Sequence, residues 1–327
     1  MDDLARRRLA AVLALTGLLP APACAPKYAG LPPIAPSELW APLPVQHVTV
    51  DGIDIAYVDS GPVDGGGPPV VLIHGLSSWI GFWEYQLPAL AKTHRVLALD
   101  LPGFGASGRP DAPYTPPWYA DVVTGWMSAL GIDAAVLVGH SMGGQIATTI
   151  ALDHPDRVEA LVLAAPAGIE SFSPGAGALM KQYWTDRRTY DTPEEEIRYA
   201  FTGLAFARVD DGVERLLSER VRMRGTDALL GTSVAVARCV AGMVDFPVYD
   251  RLGGLTVPTL VVFGSDDRMI PNPLVTGGTT RAIARRAKQA IPGAELVVIE
   301  GAGHTVHHDA PEVFDPAVEA FLARIAK

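Results

Sequence analysis

Residues 134–144, Ala-Ala-Val-Leu-Val-Gly-His-Ser-Met-Gly-Gly, constrain this chain more than any other stretch. The apolar run 134–138 reads as a buried parallel strand. It enters Gly139-His140-Ser141-Met142-Gly143 directly, and a helical pattern follows from Gln145. A serine at the apex of so sharp a strand-to-helix turn sits in strained backbone, and its neighbours two positions away must be small. Gly139 and Gly143 meet that demand. The turn also sets Ser141 at the amino end of a helix, where free N–H groups and the dipole favour negative charge. An ordinary serine in a tight packing turn is the plain alternative, and a lone G-x-S-x-G would not exclude it. The β-branched strand before the turn and the helix after it favour an exposed nucleophile.

The rest of the chain repeats the strand–helix alternation. Residues 45–50 and 53–58 flank Asp51-Gly52 as a hairpin. Runs at 70–73, 95–99, 158–164, 258–263 and 296–299 read as further strands, with helices between them, including one over 119–130. That order predicts an α/β fold with a mostly parallel central sheet and helices on both faces. Between residues 169 and 252 no strand run occurs, while 194–206, 212–221 and 233–243 look helical. The block is too long for an ordinary connection and reads as a helical cap inserted into the sheet. The expected organisation is a core of residues 45–168 and 253–327 around a cap of 169–252.

Composition narrows the partners. A net charge of −10 over 327 residues argues against nucleic acid or an anionic membrane surface as the main partner. Cys24 and Cys239 are the two cysteines, in contexts too different to favour a disulfide. No C-x-x-C or H-E-x-x-H spacing suggests a metal, and neither a metal nor an organic cofactor is expected.

A serine hydroxyl is a weak nucleophile at neutral pH and needs a base within hydrogen-bond reach, itself held by a carboxylate. With its elbow, strand order and cap, the chain from about Val45 onward resembles the α/β-hydrolase superfamily, in particular its capped esterase-like members. The resemblance implies the order serine, acid, histidine along the chain. Gly264-Ser-Asp-Asp267 looks like the family's G-x-x-D stretch and selects Asp267 as the acid, with Asp266 capping the loop or forming a surface pair. Gly301-Ala-Gly-His304 resembles the G-x-G-H turn and gives His304 as the base. His74-Gly-Leu76 resembles the oxyanion loop, so the backbone N–H groups of Leu76 and Met142 are the expected oxyanion donors. His74 and His140 are read as structural neighbours. Trp79, Phe82 and Trp83 suit an apolar pocket wall or, equally, a core or cap contact. His307 and His308 extend His304 into H-x-x-H-H-D, and are read as rim or surface residues.

Ser141 points away from relatives that attack with aspartate at the elbow. It implies acyl transfer: a serine hydrolase of small apolar carboxylic esters. A meta-cleavage carbon–carbon hydrolase, a lactonase, an amidase or a perhydrolase would use the same triad, and a receptor-like non-enzyme would have lost one member of it. His74-Gly-Leu-Ser-Ser-Trp79 lacks the glycine-rich oxyanion loop usual in carbon–carbon hydrolases.

The N-terminus carries Arg6-Arg7-Arg8, an apolar run over 9–19 and Ala21-Pro22-Ala23 before Cys24, the layout of an export signal. Residues 1–25 are therefore expected to be the signal segment, with the residues before about Cys24 removed on export, and 26–44, rich in proline, to form a tether or a strap. Cys24 after small residues resembles a bacterial lipoprotein cleavage site, although Ala21 stands where leucine is usual. The expected location is the periplasm or a membrane face, reached through a lipidated Cys24 with more than one acyl chain, since one chain binds only marginally. Intact mass of the mature protein tests this. Cys24 bearing acyl chains is expected, an unmodified start near Pro26 removes the anchor, and a retained Met1 removes export as well.

Overall fold

The structure, a computed structural model, describes residues 27–28, 30–64, 66–272 and 276–325. The proposed export signal and Cys24 lie outside the described residues. Among the described residues eight strands form one sheet: β1 (Gln46–Val50), β2 (Ile53–Asp59), β3 (Val70–Ile73), β4 (Val96–Leu99), β5 (Ala135–His140), β6 (Val158–Ala164), β7 (Thr259–Gly264) and β8 (Glu295–Ile299). Their spatial order is β1-β2-β4-β3-β5-β6-β7-β8. The β1/β2 and β2/β4 pairs are antiparallel and the rest parallel. The hairpin turns where it was expected, with Asp51 at φ 48° and Gly52 at φ 79°, the left-handed pair that a two-residue turn requires.

The near-continuous apolar strands follow from burial on both faces. Val71, Ile73, Leu137, Leu163 and Phe263 pack on one side with α2 (Pro116–Ala129), α3 (Met142–Asp153) and α9 (Thr280–Ala290). Their alternates Val70, Leu72, Val136, Val138 and Val262 pack on the other with α1 (Gln86–Leu90) and α11 (Pro311–Ile325). Each such side chain contributes about 2 kcal/mol by leaving water. Ile73 pairs with Gly139 and Gly139 with Leu163, so the strands end level at one carboxyl edge. The segments leaving that edge carry every candidate site residue, as open parallel sheets favour.

Between β6 and β7 lie α4 (Pro174–Tyr183), α5 (Asp186–Tyr190), α6 (Glu194–Tyr199), a π-helical turn over Ala200–Ala205, α7 (Asp211–Arg222) and α8 (Asp227–Asp245). The sequence pattern located the last three helical stretches and missed α4 and α5. Pro174-Gly-Ala-Gly177 is poor helix material, and α4 is held instead by an N-cap and by packing. Ser173 Oγ accepts from Ala176 N–H at 3.3 Å. A Cβ at Gly177 would come within 2.7 Å of Val244 on α8.

The described part of the proline-rich stretch lies along the cap as a strap. Lys27 and Tyr28 donate their N–H groups to Glu194 Oε1 at 2.8 and 3.2 Å, and the Tyr28 hydroxyl bonds Glu214. The Tyr28 ring is buried against Ile197, Leu217 and Val221. Farther along, Ile34 N–H donates to the Arg222 carbonyl at 3.1 Å and Trp40 N–H to Glu219 Oε1 at 3.0 Å, while the Arg215 guanidinium lies 3.9 Å from the Trp40 ring centre. Tyr28→Ala is expected to cost about 3 kcal/mol in urea unfolding. Lys27→Ala, whose ion pair with Glu214 lies in solvent, is expected to leave the midpoint unchanged.

Candidate active site

Ser141 closes β5 with φ 53° and ψ −116°, a strained backbone for a residue with a side chain. The turn is held from three sides. Ser141 N–H donates to the Ala164 carbonyl at 3.0 Å, and its own carbonyl accepts from Ala167 at 2.9 Å and from Gly144 at 2.9 Å. The glycines are obligatory for contact. A Cβ at Gly143 would lie 2.1 Å from the Ile73 carbonyl oxygen, and one at Gly139 would lie 2.4 Å from that of Gly143. Met142 opens α3, where N–H groups have no helical acceptor.

The loop after β7 brings an acid to a histidine. His304 Nδ1–H donates to Asp267 Oδ2 at 2.9 Å, both side chains being buried. Asp267 Oδ1 accepts the N–H groups of Met269 and Ile270 at 2.8 and 2.9 Å, which fix the carboxylate in the plane it offers the ring. Asp266 is exposed and accepts from Ser265 Oγ at 2.8 Å. Of the doubled aspartate, Asp267 is the one joined to His304.

The histidine turn is tied to the elbow through His140, whose Nε2–H donates to the His304 carbonyl at 3.1 Å, with ring centres 4.9 Å apart. Burial, aided by the neighbouring His307 and His304, holds the pKa of His140 well below the usual range, so its ring is neutral. The loop of Leu76 lies on the other flank of the elbow: a Cβ at Gly75 would be 3.1 Å from Ser141 Cβ and 2.9 Å from His140 Nδ1. His74 braces that loop. Its Nδ1–H donates to the Gly75 carbonyl at 2.7 Å, and its Nε2 accepts Leu101 N–H at 2.9 Å.

His307 and His308 are not rim residues: both are buried, on the short helix α10 (Val306–Asp309). His307 stacks on Trp83 with ring centres 4.3 Å apart and donates Nε2–H to the Phe82 carbonyl at 3.2 Å. His308 lies between Tyr85 and Phe206, with Nε2 3.7 Å from Glu84. The chain turns inward after His304, and polarity alone did not show it. Trp83 belongs to the core under the sheet, whereas Trp79 and Phe82 pack with Phe206, Val213 and Leu216 of the cap. The cap contact is therefore where two of the three aromatic candidates lie.

Glu170 and Asp309 are buried carboxylates to which the sequence assigned no role. Glu170 accepts Asn272 N–H at 2.6 Å and the Thr276 hydroxyl; burial raises its pKa, and the nearby Asp267 charge adds to the rise. Asp309 stands at the end of α10. Among the described residues no group of three His, Cys, Asp or Glu side chains is arranged to hold a metal ion.

Residues 68–311 match the family model of the alpha/beta hydrolase fold, and the chain belongs to that family. It is 30% identical over 279 residues to the dihydrolipoyllysine-residue acetyltransferase component of the acetoin cleaving system of Cupriavidus necator, covering 85% of this chain and 68% of that protein. It is 29% identical over 294 residues to a 2-hydroxy-6-oxo-6-(2'-aminophenyl)hexa-2,4-dienoic acid hydrolase of Metapseudomonas resinovorans, covering 86% and 91% of the two chains. Among solved structures, a probable hydrolytic enzyme of Pseudomonas aeruginosa superposes with a TM-score of 0.80 at 28% identity, covering 89% of this chain and 98% of that one. The enol-lactonase of Burkholderia xenovorans gives 0.68 at 27%, covering 85% and 100%.

Burial lowers the His74 pKa to about 4. A depressed histidine contributes stability that is full above its unfolded value near 6.5 and is lost as pH falls from there to about 4, by roughly 3 kcal/mol. A nitrogen-15 titration of the ring is expected to show the neutral form down to that midpoint. A midpoint near 6.5 would show a solvated ring and remove the brace.

Proposed function

We propose that this hydrolase cleaves carboxylic esters through an acyl-enzyme on Ser141. The observation that carries the reading is the His304–Asp267 bond. With Nδ1–H committed to the carboxylate, the lone pair is on Nε2, the nitrogen a base would turn to the serine. In the first half-reaction Ser141 Oγ attacks the ester carbonyl while His304 Nε2 takes its proton. The oxyanion is held by the N–H groups of Leu76 and Met142, and collapse expels the alcohol, which receives the proton from His304. In the second, His304 takes a proton from water, hydroxide attacks the acyl carbon, and the acid leaves as the proton returns to Ser141. Asp267 keeps its hydrogen bond to Nδ1–H throughout and stabilises the imidazolium.

The aromatic seam of Trp79, Phe82 and Phe206 between core and cap supports an apolar acyl or alcohol group. Export, with a lipid anchor at Cys24, remains part of the proposal on the strength of residues 1–25. A second reading, carbon–carbon hydrolysis with the same groups, is favoured by the likeness to the Metapseudomonas hydrolase. The departing His74-Gly-Leu-Ser-Ser-Trp79 loop weighs against it.

A panel of esters of graded acyl length, with a lactone and a dienoate carbon–carbon substrate, separates the readings. Ester turnover is expected to dominate, and turnover of the dienoate alone would replace the ester reading. Ser141→Ala is expected to lower turnover by about 10⁶-fold at unchanged melting temperature. Retention of over about a tenth of the rate would take Ser141 out of the chemistry. Asp267→Asn is expected to cost about 10⁴-fold, and Asp266→Asn little; the reverse ranking would move the acid by one residue.

A further inference from the structure

The string His304-Thr-Val-His-His-Asp309 ends in a carboxylate that the proposed chemistry does not use. Asp309 is 2% exposed, and every acceptor direction it has is directed at backbone. Its Oδ1 accepts Arg208 N–H at 3.0 Å, the Ala207 N–H is shared between the two oxygens at 3.1 and 2.9 Å, and Oδ2 accepts Gly303 N–H at 2.7 Å. Ala207 and Arg208 belong to the cap, just after the π-helical turn Ala200–Ala205. Gly303 precedes His304.

The far side of the histidine is tied to the same piece of cap. Thr305 N–H donates to the Ala205 carbonyl at 2.9 Å, so both backbone neighbours of His304 are fastened to cap residues 205–208. The two backbones touch without side chains between them. A Cβ at Gly303 would lie 2.9 Å from both Ala207 N and Asp309 Oδ2, and 3.1 Å from the Ala205 oxygen. Arg208 closes the clasp, its guanidinium donating to the Asp309 carbonyl at 3.2 Å. The ring of His304 therefore has two sets of supports. Asp267 and His140 hold it from the core, and the cap holds the backbone that carries it.

We propose that Asp309 is a positioning residue that makes the placement of His304 depend on the seating of the cap, so that a cap lifted from this turn withdraws the base from Ser141. The proposal rests on the reading of His304 as that base. A carboxylate is needed because two acceptor oxygens face three N–H groups from two parts of the chain. An amide offers one acceptor, and its NH₂ would oppose one of the donors. Aligned to a fraction of an ångström, a general base is sensitive to displacement on the order of 1 Å, which costs about 10²-fold.

The test uses the full chain with two readouts: ester kinetics, and the downfield proton resonance of His304 Nδ1–H, assigned by its loss in His304→Ala. Asp309→Asn is expected to lower kcat by about 10²-fold with KM within about threefold, and to shift or abolish the resonance. Arg238→Ala removes an exposed cap–core ion pair with Asp111, remote in sequence from the histidine turn, and is expected to change neither readout. Should Asp309→Asn fail to fold, Asp309→Glu, which keeps the charge but displaces it by a methylene, is expected to lose kcat and shift the resonance in the same way. A variant that retains kcat within about threefold, or loses activity only in proportion to its unfolded fraction with the resonance in place, overturns the proposal. If instead Ser141→Ala leaves hydrolysis intact, the reading of His304 as the base of Ser141 has failed, and the resonance still decides whether Asp309 positions His304.

Discussion

The site depends on one close approach: Gly143 of the elbow against the Ile73 carbonyl at the end of the neighbouring strand. With a Cβ excluded there, α3 starts directly over the sheet edge and Ser141 is forced to positive φ. Four backbone hydrogen bonds hold that conformation, one from Ser141 N–H to Ala164 and three to the Ser141 carbonyl from Gly144, Gln145 and Ala167. Strain of this kind costs on the order of 1–3 kcal/mol and persists only where the surroundings over-determine it. The surroundings here are β3, β5 and β6, whose registers Ile73↔Gly139 and Gly139↔Leu163 place three strand ends side by side. A slip of any one would move the serine, the Leu76 loop or the Ala164 carbonyl out of place.

Around that edge lie several buried imidazoles, and their surroundings decide what each can do. His74 bridges Gly75 and Leu101, His140 holds the His304 carbonyl, and His307 stacks on Trp83. Burial without a hydrogen-bonded carboxylate keeps these three neutral. His304 differs in having Asp267 on Nδ1. A carboxylate there stabilises the cation that a base must become, whereas a carbonyl oxygen stabilises it far less. The same residue type thus serves as brace, tie or candidate base according to the atom opposite its ring nitrogen.

How much of this the sequence disclosed depended on whether the relevant partner was local. The elbow, the hairpin at Asp51-Gly52 and the apolar strands are set by residues within a few positions, and all were legible. Asp267 was legible because its distance from Gly264 matched a known pattern. The fates of His307, His308 and Asp309 were not, because each is decided by contacts with residues far along the chain: Trp83, Tyr85 and the backbone at 207–208. Their polarity pointed to solvent, and the packing of α10 beneath the cap overrode it. Glu170 had no signal of its own. It became visible only through Asn272 and Thr276, on the far side of the inserted cap. Helix α4 failed for the opposite reason, a weak local propensity rescued by packing against α8.

The cap itself is fixed from several directions at once. The strap binds Glu194 and Glu219 through backbone N–H groups of Lys27, Tyr28 and Trp40. Gln145, on the helix that begins at the elbow, donates to the Met243 and Phe246 carbonyls at the end of α8 at 3.2 and 2.9 Å. Asp309 holds the segment between the π-turn and α7. The aromatic seam between core and cap, Trp79 and Phe82 against Phe206, thus packs on a cap tied to the strap, the elbow helix and the histidine turn, segments that lie about a hundred residues or more apart along the chain. The cap is thereby tied to the strap at Tyr28, to the elbow helix at Gln145 and to the histidine turn at Asp309, and the last of these ties meets the backbone on either side of His304.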